Sequence, residues 1–362
     1  MQITRLVARH LGLEHFRELE PNASINGVTI VELEVPTEDQ NYRVQLVKDS
    51  QFLNVKLEEG AKLAAFYNSR FWHEAINSSK HLAASIPSAR FFNAFQVSDE
   101  GQKYSVYLTK YTRGYSKFLD LHDFEEIARI VAKIHAVQSD ALKVEFENAV
   151  EENFGNIKAY RRKIQKELVQ VLDLAVTAEE TSKFFRAPSR VLEKVSILIH
   201  HLHSKSESSS EDDHLRVICH GNLKSENIRF NENGKIVEIT DWENIHLGNP
   251  AEDLTNLIIS SGDTELQRRT YMKVFHQYFY TLVDIRPPKY QLPDLKRWFR
   301  ENHAKIVVDG IEQLLIKISD EDSSNDTKFT AAQSWEQALD NAVDYITDNY
   351  LSDDEQVFFS NK

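Results

Sequence analysis

The residues with the types and spacing to do chemistry lie in His220-Gly221-Asn222-Leu223-Lys224-Ser225-Glu226-Asn227 and in Ile239-Thr240-Asp241-Trp242-Glu243. A loop of the form H-x-D-x-x-x-x-N sets a carboxylate beside a substrate hydroxyl and an amide oxygen on Mg²⁺ for phosphoryl transfer. Here the carboxylate position holds Asn222, whose neutral amide cannot take up a proton. Asn227 and Asp241 offer an amide oxygen and a carboxylate, hard donors suited to a Mg²⁺ held jointly with phosphates. These two are the candidate metal ligands, and Asn222 is a candidate catalytic residue.

The elements around these residues follow from patterning. Ile228 to Phe230 and Lys235 to Thr240 flank Asn231-Glu232-Asn233-Gly234, whose Asn-Gly step predicts a hairpin. That hairpin would carry Asn227 and Asp241 back to one end, as a shared metal requires. Leu215 to Cys219 reads as a short apolar strand leading into the loop. Upstream, residues 25 to 57 alternate apolar and polar, predicting three strands, with Val31, Leu33 and Val35 on one face, then Tyr42, Val44 and Leu46, then Phe52 to Leu57. Ala61 to Leu82 reads as helix, and Phe91 to Val97 and Tyr104 to Tyr111 as two further strands.

Helices dominate from about residue 113. Asp123 is the expected N-cap with Glu126 closing a capping box, and Phe124, Ile127, Val131 and Ile134 form one buried stripe. Lys158 to Leu174 reads as a second, basic helix. Ser204 to Asp213 is polar and low in complexity, so a mobile surface insertion is expected. Asn249-Pro250-Ala251-Glu252 reads as the capped start of another helix, whose Asp253 could brace the loop through backbone hydrogen bonds. His220 is expected to be structural, hydrogen-bonded within its own loop. Lys56 on the third strand could hold the α- and β-phosphates, with Glu74 of the following helix as its partner.

Composition narrows the classes. At 362 residues the chain has room for two lobes, and no run is apolar enough to span a bilayer. A net charge of −13 disfavours a nucleic-acid partner and suits a small cationic substrate, though it equally serves solubility. The lone Cys219 and the absence of a signal pattern at the N-terminus fit a cytoplasmic protein with no membrane partner.

Taken together, His220-Gly221-Asn222…Asn227, Thr240-Asp241-Trp242-Glu243, Gly248…Pro250…Asp253-Leu254, Ala132-Lys133-Ile134-His135 and the Asn41 to Lys56 strand pair resemble the aminoglycoside phosphotransferase and choline kinase family. That resemblance runs over roughly residues 25 to 260. It implies an α+β, protein-kinase-like bilobal fold: an N-terminal antiparallel five-stranded sheet with one helix over residues 1–112, and a larger, mainly helical C-terminal lobe over 113–362. By the same resemblance ATP would lie between the lobes, with adenine on the backbone near Lys110, Tyr111 and Thr112. Lys224 resembles the lysine of the D-L-K-P-E-N loop of protein kinases and could stabilise charge on the transferring phosphate. The phosphate-covering loop would fall near Pro36 to Gln40, which has no glycine. The implied activity is ATP- and Mg²⁺-dependent transfer to a hydroxyl of an aminoglycoside-, choline- or sugar-like molecule.

Asn222 leaves three readings open: a kinase with slow chemistry or another base, a pseudokinase that binds nucleotide and acts through partners, or an Asp→Asn substituted form. General-base help contributes about 10²- to 10⁴-fold in rate, while most phosphoryl-transfer catalysis is positioning and electrostatics. For the acceptor, Asp340, Asp344 and Asp348 with Trp335, Tyr345 and Tyr350 could suit an amine, although a solvated acidic face explains them as well. The basic segment Lys158 to Lys166 favours an anionic partner instead.

Overall fold

The computed structural model describes residues 8–9, 12, 17–18, 23–25, 28–35, 40–48, 57–78, 86–99, 102–136, 140–206 and 215–347. The chain divides into two compact units. The first comprises residues 1–117, 141–157 and 226–245, and the second residues 118–140, 158–225 and 246–362.

The first unit is built on an antiparallel sheet of β1 (Arg17–Glu18), β2 (Ala23–Ile25), β3 (Val28–Val35), β4 (Gln40–Lys48), β5 (Arg90–Asp99) and β6 (Gln102–Tyr111). Its order is β1-β3-β4-β6-β5, with β2 also paired to β3. The register sets Val31 opposite Val44 and Leu33 opposite Tyr42, and then Val44 opposite Leu108. Tyr42 and Val44 are buried, while Asn41 and Arg43 beside them are only partly so, which is the two-residue alternation of a half-buried strand. The third strand expected over 52–57 is not found among the described residues. Residues 51–56 lie outside them, and Leu57 opens helix α1 (Leu57–Ser78). Among the described residues the sheet therefore has six strands rather than the expected five, and β4 pairs with β6 directly.

The hairpin of β8 (Ile228–Phe230) and β9 (Ile236–Ile239) belongs to this unit too. Its turn closes as the Asn-Gly step predicts: Gly234 takes φ 74°, which a glycine adopts without a Cβ clash, and the Asn231 side chain accepts from the Asn233 and Lys235 amides. The Ile239 amide donates to Pro87 O at 2.7 Å, fixing the hairpin to the segment before β5.

The second unit is helical. It contains α2 (Leu121–His135), the C-terminal part of α3 (Asp140–Thr177), α4 (Pro188–Ser206), α5 (Glu252–Ser261), α6 (Tyr271–Ile285), α7 (Leu292–Asp309), α8 (Ile311–Ser319) and α9 (Asn325–Ile346). A two-stranded pair, β7 (Val217–Cys219) with β10 (His246–Gly248), completes it. Phe124, Ile127, Val131 and Ile134 are buried on α2, as their spacing predicts. The N-cap of α2 is Asp120 rather than Asp123, and Asp123 sits at the third helical position, closing the box on the Asp120 amide. The expected basic helix over 158–174 is part of one 38-residue helix, α3. The core packs Leu172, Leu198, Val307, Ile311, Trp335 and Leu339 together from five helices. Of the expected insertion, Ser204 to Ser206 end α4 and the remainder lies outside the described residues. No described helix is long and apolar enough to cross a membrane.

Candidate active site

The first cluster lies in the first unit, at the open end of the β8–β9 hairpin. Asn227 Nδ2 donates to Asp241 Oδ2 at 3.0 Å, and the Thr240 amide donates to Asn227 O at 2.8 Å. These bonds hold the two oxygen-bearing side chains side by side. Asp241 adopts φ 65° and ψ 53°, and is the one non-glycine residue among those described with a positive φ. Backbone strain of this kind persists only where the surroundings enforce it. Here they do so by packing. Trp242, next along the chain, is fully buried and stacks on Trp72 of α1, ring centroids 4.1 Å apart. Its Nε1 donates to Ile239 O at 2.7 Å, and Asn68 of α1 donates to Glu243 O at 3.2 Å. Burial, followed by the charge of Asp241, pushes the Glu243 carboxyl up to about 7.

An amide oxygen and a carboxylate held together on a strained turn fit a hard divalent cation such as Mg²⁺. The D-W-E segment was legible in the sequence. Its supports Trp72 and Asn68 were missed, since nothing in their local pattern points to a residue some 170 positions away.

The second cluster lies in the second unit, where β7 runs into the His220 loop. Asp253 of α5 is buried and accepts from the His220 amide at 2.7 Å and the Gly221 amide at 2.9 Å. The Asn222 amide donates to His220 Nδ1 at 3.2 Å, so His220 is structural in the manner expected. Gly221, at φ 78°, lets the loop reverse, and buried Leu223 pins it to the core between Asn222 and Lys224. Burial opposes ionisation of Asp253, but the pull of His135, the charge of His220 and the Gly221 amide together hold its carboxyl below the ordinary aspartate value. Cys219 is buried, which pushes its thiol well above the usual range, and the charge of Asp253 pushes it further.

The helix expected to start at Asn249 begins later, at Glu252. Asn249 instead builds the turn before it, accepting from the Ala251 amide at 2.9 Å. The Glu252 carboxylate does not close a capping box. It binds Lys305 Nζ at 2.6 Å and His246 Nε2 at 3.3 Å.

The other expected site residues fall as follows. Lys56 lies outside the described residues, as do residues 36–39 of the phosphate-covering loop. Glu74 pairs with Arg70 of the same helix, 2.8 Å away, with both side chains 40% exposed. Lys110 lies over the rings of Phe92 and Tyr42, at 4.4 and 5.2 Å, and the Tyr111 ring lies under the Arg43 guanidinium at 4.9 Å. Thr112 follows directly on β6. In the second unit, three members of the acid-and-aromatic set expected to attract an amine are engaged within the fold. Asp340 is ion-paired to Arg186 and Lys194, Trp335 is buried and donates to Val307 O at 3.0 Å, and Tyr345 is buried against Phe299 and His303. Asp348 and Tyr350 lie outside the described residues.

Comparison with known proteins places these observations. Residues 108–287, just under half of the chain, match the model of the ecdysteroid kinase-like family. No curated protein sequence matches the chain. Among solved structures, a spectinomycin phosphotransferase in complex with ADP and spectinomycin is 13% identical, with a TM-score of 0.55 over 94% of this chain and 98% of that one. An amicoumacin kinase in complex with AMP-PNP, Ca²⁺ and Ami is 12% identical, with a TM-score of 0.51 over 93% of both chains. A Plasmodium vivax ethanolamine kinase is 13% identical, with a TM-score of 0.50 over 93% of this chain and 84% of that one. At these identities the structural likeness speaks for the fold alone. With the segment match, it supports a small-molecule kinase built on the protein-kinase-like fold.

Proposed function

We propose that the protein transfers the γ-phosphoryl group of ATP to a hydroxyl of a small molecule, with Mg²⁺ held by Asn227 and Asp241. The observation that carries this reading is the Asn227–Asp241 pair on its strained, tryptophan-braced turn. Mg²⁺ would neutralise charge on the phosphates during transfer. The chain's own residues then have limited but definite work. Asn222, on the loop braced by Asp253, accepts a hydrogen bond from the acceptor hydroxyl and orients its oxygen towards phosphorus. The bond from Pγ to the bridging oxygen breaks as the new P–O bond forms, and ADP leaves. Because an amide does not take up the hydroxyl proton, that proton passes to a phosphoryl oxygen or to water. Lys224 supplies positive charge to the transferred group.

Turnover should therefore be slow, within the range by which general-base help usually accelerates such steps. The Asn222→Asp variant tests this directly. Its phosphotransfer rate should rise by about 10²-fold or more with an accepted substrate. Acceptors to screen are hydroxylated steroids, suggested by the family match, together with amino alcohols, aminoglycosides and sugars. Asp340, Trp335 and Tyr345 are engaged in ion pairs and core, so the case for a cationic acceptor rests chiefly on the net charge of −13, and the amino alcohols in the screen test it.

Asn222 also favours a second reading, a pseudokinase that binds nucleotide and acts through protein partners. It predicts a nucleotide-induced thermal shift with no product from either the natural chain or Asn222→Asp.

A further inference from the structure

Behind the His220 loop, four buried side chains on separate elements of the second unit form a row. Tyr290, in the connection between α6 and α7, lies with its hydroxyl 2.6 Å from that of Tyr278 on α6. The Tyr278 hydroxyl is 2.7 Å from Nδ1 of His135, the last residue of α2. His135 Nε2, on the far side of the ring, faces Asp253 Oδ2 at 3.9 Å and makes no shorter hydrogen bond. Asp253 in turn accepts the His220 and Gly221 amides.

A neutral imidazole has one donor and one acceptor nitrogen, and the partner of one decides the state of the other. We propose that Tyr278, oriented by Tyr290, is a positioning residue that fixes the Nε2–H tautomer of His135, and that this tautomer steadies the Asp253 carboxylate holding the His220 loop. Tyr290 donates to the Tyr278 oxygen, Tyr278 donates to Nδ1, and the ring proton therefore sits on Nε2, towards the carboxylate. The opposite assignment would aim a nitrogen lone pair at a buried carboxylate oxygen, an electrostatic repulsion that low dielectric magnifies. Burial raises both tyrosine hydroxyls above their ordinary value, so both keep the protons the row needs.

The assignment has a second consequence. A ring nitrogen of His135, Cys219 Sγ and an Asp253 oxygen lie within 4.8 Å of one another, which are the atom types of a transition-metal site, and in the row Nδ1 is already taken by Tyr278. A nitrogen carrying a proton cannot ligate, so the hydrogen-bond row and a bound metal exclude each other. Any effect on phosphotransfer rests on the function proposed above; the tautomer does not.

Nitrogen-15 NMR of the full chain labelled at histidine tests this, with His135 assigned by the signals that vanish in His135→Asn. The expected result is a protonated Nε2 and an unprotonated Nδ1. Tyr278→Phe should raise the share of the other tautomer, which Asp253 alone then opposes, and speed hydrogen exchange at the His220 and Gly221 amides by about tenfold. Tyr290→Phe should keep the tautomer, because Tyr278 still donates, with a smaller rise in exchange. A protonated Nδ1 in the natural chain, an unchanged tautomer in Tyr278→Phe, or stoichiometric zinc in the purified protein would each overturn the proposal. If the tautomer and exchange behave as expected while no variant, Asn222→Asp included, transfers phosphate, the catalytic reading fails and the positioning role stands.

Discussion

The Asp241 turn of the first unit and the His220 loop of the second carry neighbouring parts of one sequence motif, yet they are held in place by different physics. The Asp241 turn is clamped by dispersion and burial: two tryptophans stacked face to face, with one side-chain amide on the backbone beside them. The His220 loop is clamped by charge-assisted hydrogen bonds to a buried carboxylate. Packing can force a backbone into a strained conformation, because many weak contacts resist displacement together. Hydrogen bonds to a carboxylate instead fix two amides in direction. The difference suits the tasks: a strained aspartate to present oxygens, and a loop whose backbone must stay in register.

The largest expected effect separates these clamps. Trp242→Ala removes a fully buried indole and its stack, and should lower unfolding free energy by about 4 kcal/mol. Asp253→Ala leaves two backbone amides without their acceptor, and should lower it by about 3 kcal/mol. Denaturant titration checks both. If Asp253→Ala costs nothing measurable, the carboxylate is not what holds the loop.

The two carboxylates should also answer pH in opposite directions. Asp253 has a folded value below its ordinary one, so the stability it contributes is present above the unfolded value of 3.8 and is lost as pH falls through the lowered one. Glu243 is raised from 4.5 to about 7, so the folded state binds the extra proton and stability falls as pH rises through that window. Without divalent cation, Glu243→Gln should flatten the decline between about pH 4.5 and 7, worth at most about 3 kcal/mol. A pH–stability curve identical to that of the natural chain would contradict the assignment.

The smallest effect is the sharpest in meaning. Asp241→Gly relieves a positive φ that costs an ordinary residue about 1 kcal/mol, and should leave stability unchanged or slightly raised. Cation-dependent nucleotide binding should nevertheless be lost. Strain would then be tied to function rather than to folding.

What could be read from the sequence was local. The β8–β9 hairpin, the α2 stripe and Asp253 below the loop all depend on residues whose own neighbours reveal their role: an Asn-Gly turn, a helical repeat, an acid shortly after a Pro. Two carboxylates three positions apart can exchange cap and box roles, and so the start of α2 was misplaced at Asp123 instead of Asp120. The one long helix α3 was read only in its basic C-terminal half, because the polar stretch around Gly155 breaks the apolar rhythm that signals a continuous helix. The Trp72–Trp242 stack, the Asn68 bond and the Tyr290–Tyr278–His135 row join residues far apart in the chain. No spacing rule reports such pairs. The ion pairs of Asp340 were hidden for a related reason: its basic partners lie about 150 positions earlier.

The most direct measurement of the central claim is calorimetric titration of ATP into the natural chain and into Asp241→Asn, each with and without Mg²⁺. The account predicts binding to the natural chain that is strengthened at least tenfold by Mg²⁺, and no Mg²⁺ effect in Asp241→Asn. Equal Mg²⁺ dependence in the two proteins, or no binding of ATP to the natural chain under any condition, would contradict it.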